Sequence, residues 1–182
     1  MKILIKQAII IDSSSKHNNK ICDILINNNK IEKIAKKIQI DSDTKIYKNE
    51  NLHVSQGWFD MHVNFGQPGF EQRETIENGL NAAAKGGFTE LLLMPNTNPS
   101  IDNSTMIDFI KGFSKRNVVK IQVAGNLTVS QEGKNIVEIH DMTNNGCIAF
   151  TDDKKSIQNN ELMKIALLYI KNSSSLLMNF PN

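Results

Sequence analysis

The first 54 residues carry short runs of Ile, Leu and Val broken by polar turns, a pattern of small β-strands rather than of helices. Lys2–Asp12 predicts a strand, Ser13–Lys20 a turn-rich loop, and Ile21–Ile26 an alternating second strand. Asn27-Asn28-Asn29-Lys30 has hairpin-turn composition, because asparagine tolerates the left-handed backbone that tight hairpins require. Ile31–Ile34, Lys45–Tyr47 and Leu52–Val54 add three more short strands, with a solvated Lys- and Asn-rich face between them. Residues 1–55 are therefore expected to form a small β-sandwich-like subdomain.

From Gly57 the period changes to strands alternating with helices. Trp58–Val63 predicts an apolar strand, and Arg73–Lys85 places Ile76, Leu80, Ala83 and Ala84 at helical spacing before a Gly86-Gly87 stop. Phe88–Met94 is a buried-type strand followed by the Pro95–Pro99 loop. Asp102 or Asn103 can cap a helix running to Lys115, and Val118–Ala124 is the next strand. Gln131–Asn144 puts Ile136, Ile139 and Met142 on one helical face and stops at Gly146. Ile148–Phe150 predicts a fourth strand, Asn160 can cap a helix lined by Leu162, Ile165, Ala166 and Tyr169, and Leu176–Asn179 begins a fifth strand.

Repeated βα units imply a parallel sheet with helices outside it. An eightfold βα barrel takes about 250 residues, and the stretch from Gly57 supplies about half of that. The expected fold class is thus α/β, an incomplete (β/α)8 TIM barrel of five strands and four helices over residues 56–182. A parallel sheet stopped there would leave an unpaired edge and an uncovered apolar face. That favours a fragment or truncated product of a longer chain; a self-contained open α/β sheet is the alternative.

Composition narrows the function classes. The 182 residues are 40% hydrophobic and 22% charged, with a net charge of +2 spread along the chain. With no basic stripe, nucleic acid and membrane surfaces are not indicated as partners. The start is too polar for a signal peptide and no stretch approaches a membrane span, so a cytoplasmic location is expected. Cys22 and Cys147 lie in different predicted elements and read as two reduced buried thiols.

The candidate chemistry sits at predicted strand ends. Asp60-Met61-His62-Val63-Asn64 closes the first barrel strand, and side chains two apart along a strand point the same way. An Asp-x-His-x-His there would set two imidazoles on one face; here the second is Asn64. His62 is open to two readings, a satisfied buried histidine or a metal ligand. Asp152 and Asp153 follow the fourth strand, either as a loop pair capping the next turn or as a site carboxylate. Asn96, between Pro95 and Pro99, serves either the loop's own turns or a ligand. His17, His53 and His140 read as surface or capping residues.

Together the β unit, Gly57–Gly69 and Leu93-Met94-Pro95-Asn96-Thr97-Asn98-Pro99 resemble a dihydroorotase of the amidohydrolase superfamily, from about Ile3 to Asn182. Ala149-Phe150-Thr151-Asp152-Asp153 and the terminal Asn179-Phe180-Pro181-Asn182 also fall where that family has motifs. The resemblance implies hydrolysis or closure of the dihydroorotate ring, to or from N-carbamoyl-aspartate, in pyrimidine synthesis, with zinc as the usual cofactor. It implies an oligomer for the full-length protein and, in some relatives, a non-catalytic role beside aspartate transcarbamoylase. It assigns metal ligation to His62 and an aspartate, Asp153 in preference to Asp152, and carboxylate binding to Asn96.

Three positions depart from the family pattern. Asn64 replaces the second histidine of the strand end, Gly66 replaces an arginine, and Asn179 stands where a further metal-binding histidine is expected. Zinc takes imidazole, thiolate or carboxylate, usually three protein ligands and a water in a catalytic site, whereas a neutral amide suits calcium-like coordination. Without the metal, the attacking water keeps a pKa of about 15.7 rather than about 7. An arginine would give a substrate carboxylate two charge-assisted hydrogen bonds, each worth about 1.5–3 kcal/mol, and Gly66 gives none. Impaired catalysis, a non-catalytic structural partner and a decayed gene product are the competing expectations.

Overall fold

The computed structural model describes residues 1–115 and 117–180; Pro181 and Asn182 of the terminal motif lie outside them. The chain divides into two units, residues 1–56 and 57–182. The first is built from β1 (Lys2–Ile11), β2 (Ile21–Asn27), β3 (Lys30–Ala35), β4 (Lys45–Tyr47) and β5 (His53–Ser55). One sheet joins them in the order β3-β2-β1-β4, and β5 also pairs with β1. The β2–β3 turn is made by Asn28 and Asn29, both left-handed at φ 48° and 62°, as the backbone of a tight two-residue hairpin requires.

The sandwich-like expectation takes the form of a single sheet broken at Gln7. There β1 carries φ 55° and shifts register between Ile5 and Ala8. Its first half pairs with β4 and its second half with β5, both parallel. Buried Asp23 holds the break by accepting from Gln7 N (2.9 Å) and Ile38 N (3.0 Å). Each half has its own apolar cluster, Leu4, Leu25 and Ile38 in one and Ile10, Cys22 and Ile24 in the other.

The second unit runs β6 (Trp58–Val63), α1 (Ile76–Lys85), β7 (Phe88–Leu93), α2 (Ser104–Ser114), β8 (Lys120–Gly125), α3 (Ile139–Asn144), β9 (Cys147–Phe150), α4 (Asn160–Ile170) and β10 (Leu176–Leu177). Every pairing is parallel, and the order β10-β9-β8-β7-β6 follows the chain. Each strand adds to the same side of its predecessor, without the reversal that marks a doubly wound sheet. The result is a curled half-barrel of the α/β class.

Alternation along the strands builds its two faces. Leu91, Leu93, Ile121 and Val123 turn to the helices and meet Ile76 and Leu80 of α1 and Ile107 and Ile110 of α2. Leu92, Met94, Ala124 and Ala149 form a separate cluster on the opposite side. No helix among the described residues is long and apolar enough to cross a membrane.

Several boundaries differ from the sequence expectation, each for a local reason. Helix α1 begins at Ile76, not Arg73, because Thr75 is extended and its hydroxyl accepts from Asn78 N. Of the two residues offered for α2, Asn103 is the cap, whereas α4 is capped by Asn159 rather than by the expected Asn160. The helix expected from Gln131 shrinks to Ile139–Asn144. Ser130, Gln131 and Gly133 are left-handed at φ 52°, 57° and 69°, and Ile136 bridges back to Thr128. Strand β10 ends at Leu177, so Asn179 lies beyond it and is exposed.

Candidate functional site

The polar residues singled out above collect at the C-terminal ends of β6, β7 and β9, the end of a βα barrel where chemistry is found. His62 is the penultimate residue of β6 and Asn64 follows that strand. Asn96 comes from the loop after β7, and Asp152 and Asp153 from the segment after β9.

Asp153 is the hub. Its Oδ1 lies 2.6 Å from His62 Nε2, and its Oδ2 accepts from Asn96 Nδ2. The second hydrogen of Asn96 Nδ2 goes to Asn64 Oδ1 at 2.9 Å. The Asp153 side chain is 4% exposed and that of His62 48%, so His62 is hydrogen-bonded but not buried. Asp153 adopts φ 49°, with its N–H donated to Thr151 Oγ1, and this left-handed backbone turns the carboxylate toward His62.

Asp152 faces elsewhere. Its Oδ1 accepts from Leu127 N and Thr128 N, each at 2.9 Å, and its Oδ2 from Thr128 Oγ1. That fully buried carboxylate anchors the segment after β8 and does not reach the network around Asp153. Asn179 is not hydrogen-bonded to the cluster among the described residues.

Two residues that sequence reasoning left out complete the arrangement. Gln131 Nε2 donates to Asn126 Oδ1 at 3.2 Å and lies 3.4 Å from Pro95 O and 3.5 Å from Asn96 Oδ1. Asn126 is fully buried and donates to Ser100 Oγ at 2.7 Å. Gln131 reaches this position because it and Ser130 hold left-handed backbone, which is uncommon outside glycine and asparagine. The residue type alone carries no sign of that; only the neighbouring Gly133 hints at an irregular segment. A cavity of about 290 Å³ borders Gln131, Gly133, Asp152, Lys155 and Asn159, but neither His62 nor Asn96 lines it.

The loops carrying these groups fit closely. Pro68 O accepts from Asn98 N at 2.9 Å, joining the loop after β6 to that after β7. At Gly69 (φ 96°) an added Cβ would stand 2.3 Å from Asn98 O, so only glycine permits this approach. Gly66, at φ 150°, is similar: a Cβ there would meet Phe70 O at 2.4 Å. An arginine side chain therefore has no room at this position as the loop stands. Arg73 instead rests its guanidinium 4.7 Å from the centre of the Phe70 ring.

This donor set does not fit zinc. Among the described residues no three His, Cys, Asp or Glu side chains converge on one point. His62 Nε2 and Asp153 Oδ1 are hydrogen-bonded to each other, and the oxygen of Asn64 is engaged by Asn96. What remains is an imidazole hydrogen-bonded to a carboxylate, beside the neutral amides of Asn64 and Asn96.

Comparison with known proteins gives the arrangement its context. Residues 53–182 match the family described as dihydro-orotase-like. A dihydroorotase of Caldicellulosiruptor saccharolyticus is 41% identical over 94% of this chain, which covers 40% of that protein. One from Caldanaerobacter subterraneus subsp. tengcongensis is 38% identical over 94% of this chain, covering 39% of its length. The chain thus spans about two-fifths of these relatives. In fold, it is similar to L-hydantoinase (dihydropyrimidinase) from Arthrobacter aurescens, with a TM-score of 0.77 at 18% identity, covering 96% of this chain and 39% of that one. A solved dihydroorotase gives 0.61 at 15% identity, covering 93% and 49%. With a match across most of its length and over a third of its residues shared with these relatives, the chain belongs to the dihydroorotase-like family.

Proposed function

We propose that this chain is the N-terminal portion of a dihydroorotase-family protein of pyrimidine synthesis, acting in the cytoplasm and catalytically impaired as it stands. The substrates of that reading are dihydroorotate and N-carbamoyl-aspartate, interconverted by hydrolysis or closure of a cyclic amide. The observation that carries the impairment is the mutual engagement of His62 and Asp153 at 2.6 Å. A pair spent on each other, beside an amide at Asn64, is a poor means of activating water. Substrate anchoring is weakened independently, because Gly66 offers no charge and Asn96 supplies only an amide already donated to Asp153 and Asn64.

The same departures favour a second reading, a non-catalytic structural partner of aspartate transcarbamoylase within an oligomer. Two unrelated losses, of metal ligands and of the anchoring arginine, are what relaxed catalytic demand would leave. Ring opening of dihydroorotate by the purified chain, followed through its ultraviolet absorbance, tests the impairment. No rate above buffer is expected, and turnover proportional to protein concentration would overturn it. Stable co-elution with aspartate transcarbamoylase on size exclusion selects the structural-partner reading; separate elution removes it.

A further inference from the structure

We propose that the side-chain amide of Asn96 takes the place of a divalent cation in this half-barrel, closing Asp153, Asn64 and His62 into a metal-free hydrogen-bonded network. The inference rests on the family reading given above, and it concerns what holds the polar cluster together rather than whether the cluster turns over substrate.

Three features of the geometry point to it. First, the Nδ2 group of Asn96 stands between two oxygens, Asn64 Oδ1 at 2.9 Å and Asp153 Oδ2, and gives one hydrogen to each. A point facing two convergent oxygens, one of them anionic, is where a hard cation would sit. Here two N–H dipoles meet that demand. Second, the other Asp153 oxygen is taken by His62 Nε2 at 2.6 Å. Nitrogen and oxygen ligands of tetrahedral zinc stand about 2.0–2.2 Å from the metal, hence about 3.4 Å from each other. The observed contact leaves no such gap.

Third, the amide has a neighbour on its oxygen side as well as the two acceptors on its nitrogen. Gln131 lies over it, 3.5 Å from Asn96 Oδ1 and 3.2 Å from Asn126 Oδ1, and is carried there on two successive left-handed residues, Ser130 and Gln131. Strained backbone persists only where the surroundings over-determine it. Gly133 N donates to Thr128 Oγ1, and Lys155 Nζ to Gln131 O, so the segment is fixed at both flanks. The acceptors around Asp153 are thereby satisfied from within the chain, and an entering ion would have to break these bonds to gain a carboxylate, an imidazole and one neutral amide.

Metal retention tests the proposal directly. The purified chain is loaded with zinc, dialysed, and assayed for bound metal and for a shift in melting temperature; the Asn64→His and Asn64→Asp variants are treated alike. The wild type is expected to keep less than a tenth of an equivalent and to melt at an unchanged temperature. Either variant, by adding a third good ligand to His62 and Asp153, is expected to hold zinc at least tenfold more tightly and to melt higher in its presence. A near-ultraviolet circular dichroism spectrum matching the wild type qualifies each variant, and the aspartate version, nearly isosteric, stands in where the histidine version does not fold. One equivalent of zinc in the wild type overturns the proposal, as does a calcium-dependent rise in its melting point. Zinc retention by both variants no better than by the wild type also overturns it, since the cluster would then not be a place a cation could occupy. Dihydroorotate turnover by the metal-free chain would defeat the impairment reading and leave this one standing.

Discussion

Asp152 and Asp153 are adjacent in the chain, yet their carboxylates are committed to different parts of the fold. Asp152 gathers two backbone N–H groups and a hydroxyl from Leu127 and Thr128, while Asp153 joins His62 and Asn96. The left-handed turn at Asp153 (φ 49°) separates them. One carboxylate holds up the segment after β8, and the other belongs to the polar cluster.

Their replacements should therefore differ in kind. Asp152→Ala takes the acceptor from two buried main-chain donors and from the Thr128 hydroxyl proton, a loss of about 3 kcal/mol or more. Asp153→Ala removes a bond to a half-exposed imidazole and one to an amide, which water can replace in part, for about 1–2 kcal/mol. Urea unfolding of both variants measures the difference. Equal losses would show that the two carboxylates share the structural load.

An arginine at position 66, which the family resemblance implies, should not be accommodated. Gly66 sits at φ 150°, and a Cβ there would press on Phe70 O at 2.4 Å, a main-chain atom that cannot swing aside. Gly66→Arg is expected to destabilise the chain by about 2 kcal/mol or more, with no gain in affinity for a carboxylate ligand. Thermal melting and titration with dihydroorotate check both parts. A stable variant that binds the anion would mean the loop re-forms around the new side chain.

The sequence disclosed the scaffold better than the cluster. The strands and their order are legible because apolar runs alternate with helical spacing; the unbroken run Leu91–Met94 marks β7 as buried, while its division into Leu91 and Leu93 on one face and Leu92 and Met94 on the other comes from the fold. Ile136, Ile139 and Met142 keep the helical spacing that implies a helix over Gln131–Asn144, yet the helix spans only Ile139–Asn144. The backbone at Ser130, Gln131 and Gly133 breaks the helix that this spacing implies. Nothing in the sequence marks Gln131 and Asn126, for a related reason. An amide has no periodicity and no preferred ligand, and its role depends on contacts made across 35 residues, as between Gln131 and Asn96. Asn64 and Asn96 were visible as departures from, or matches to, a motif, but not as partners of each other.

Packing of α1 offers a test independent of the site. Gly79 faces the buried ring of Phe65, and an added Cβ would lie 2.2 Å from its Cε1. Alanine improves helix propensity by about 1 kcal/mol, but overpacking a well-filled site costs about 1–3 kcal/mol. Because Phe65 is confined, the steric term should win. Gly79→Ala is expected to lower stability, and Gly79→Ala with Phe65→Leu to recover part of it in chemical denaturation. An increase in stability for the single variant would show that the ring has space to retreat.

Cys147 supplies a pH signature for the half-barrel. Burial at the start of β9 pushes its thiol up to about 11 from an ordinary 9.0, opposed in part by hydrogen bonds with Ala149 O and Gly125 N. The folded chain thus keeps this proton where the unfolded chain has lost it. Its contribution is fully present below pH 9 and is lost as pH rises toward 11, by about 2–3 kcal/mol at most. Urea stability measured from pH 8 to 11 should fall more steeply in the wild type than in Cys147→Ala, whose absolute stability is lower because of the missing sulfur. The same burial should keep Cys147 from alkylation at neutral pH until denaturant is added. Parallel pH slopes for the two proteins would mean that the thiol titrates alike in the folded and unfolded chain.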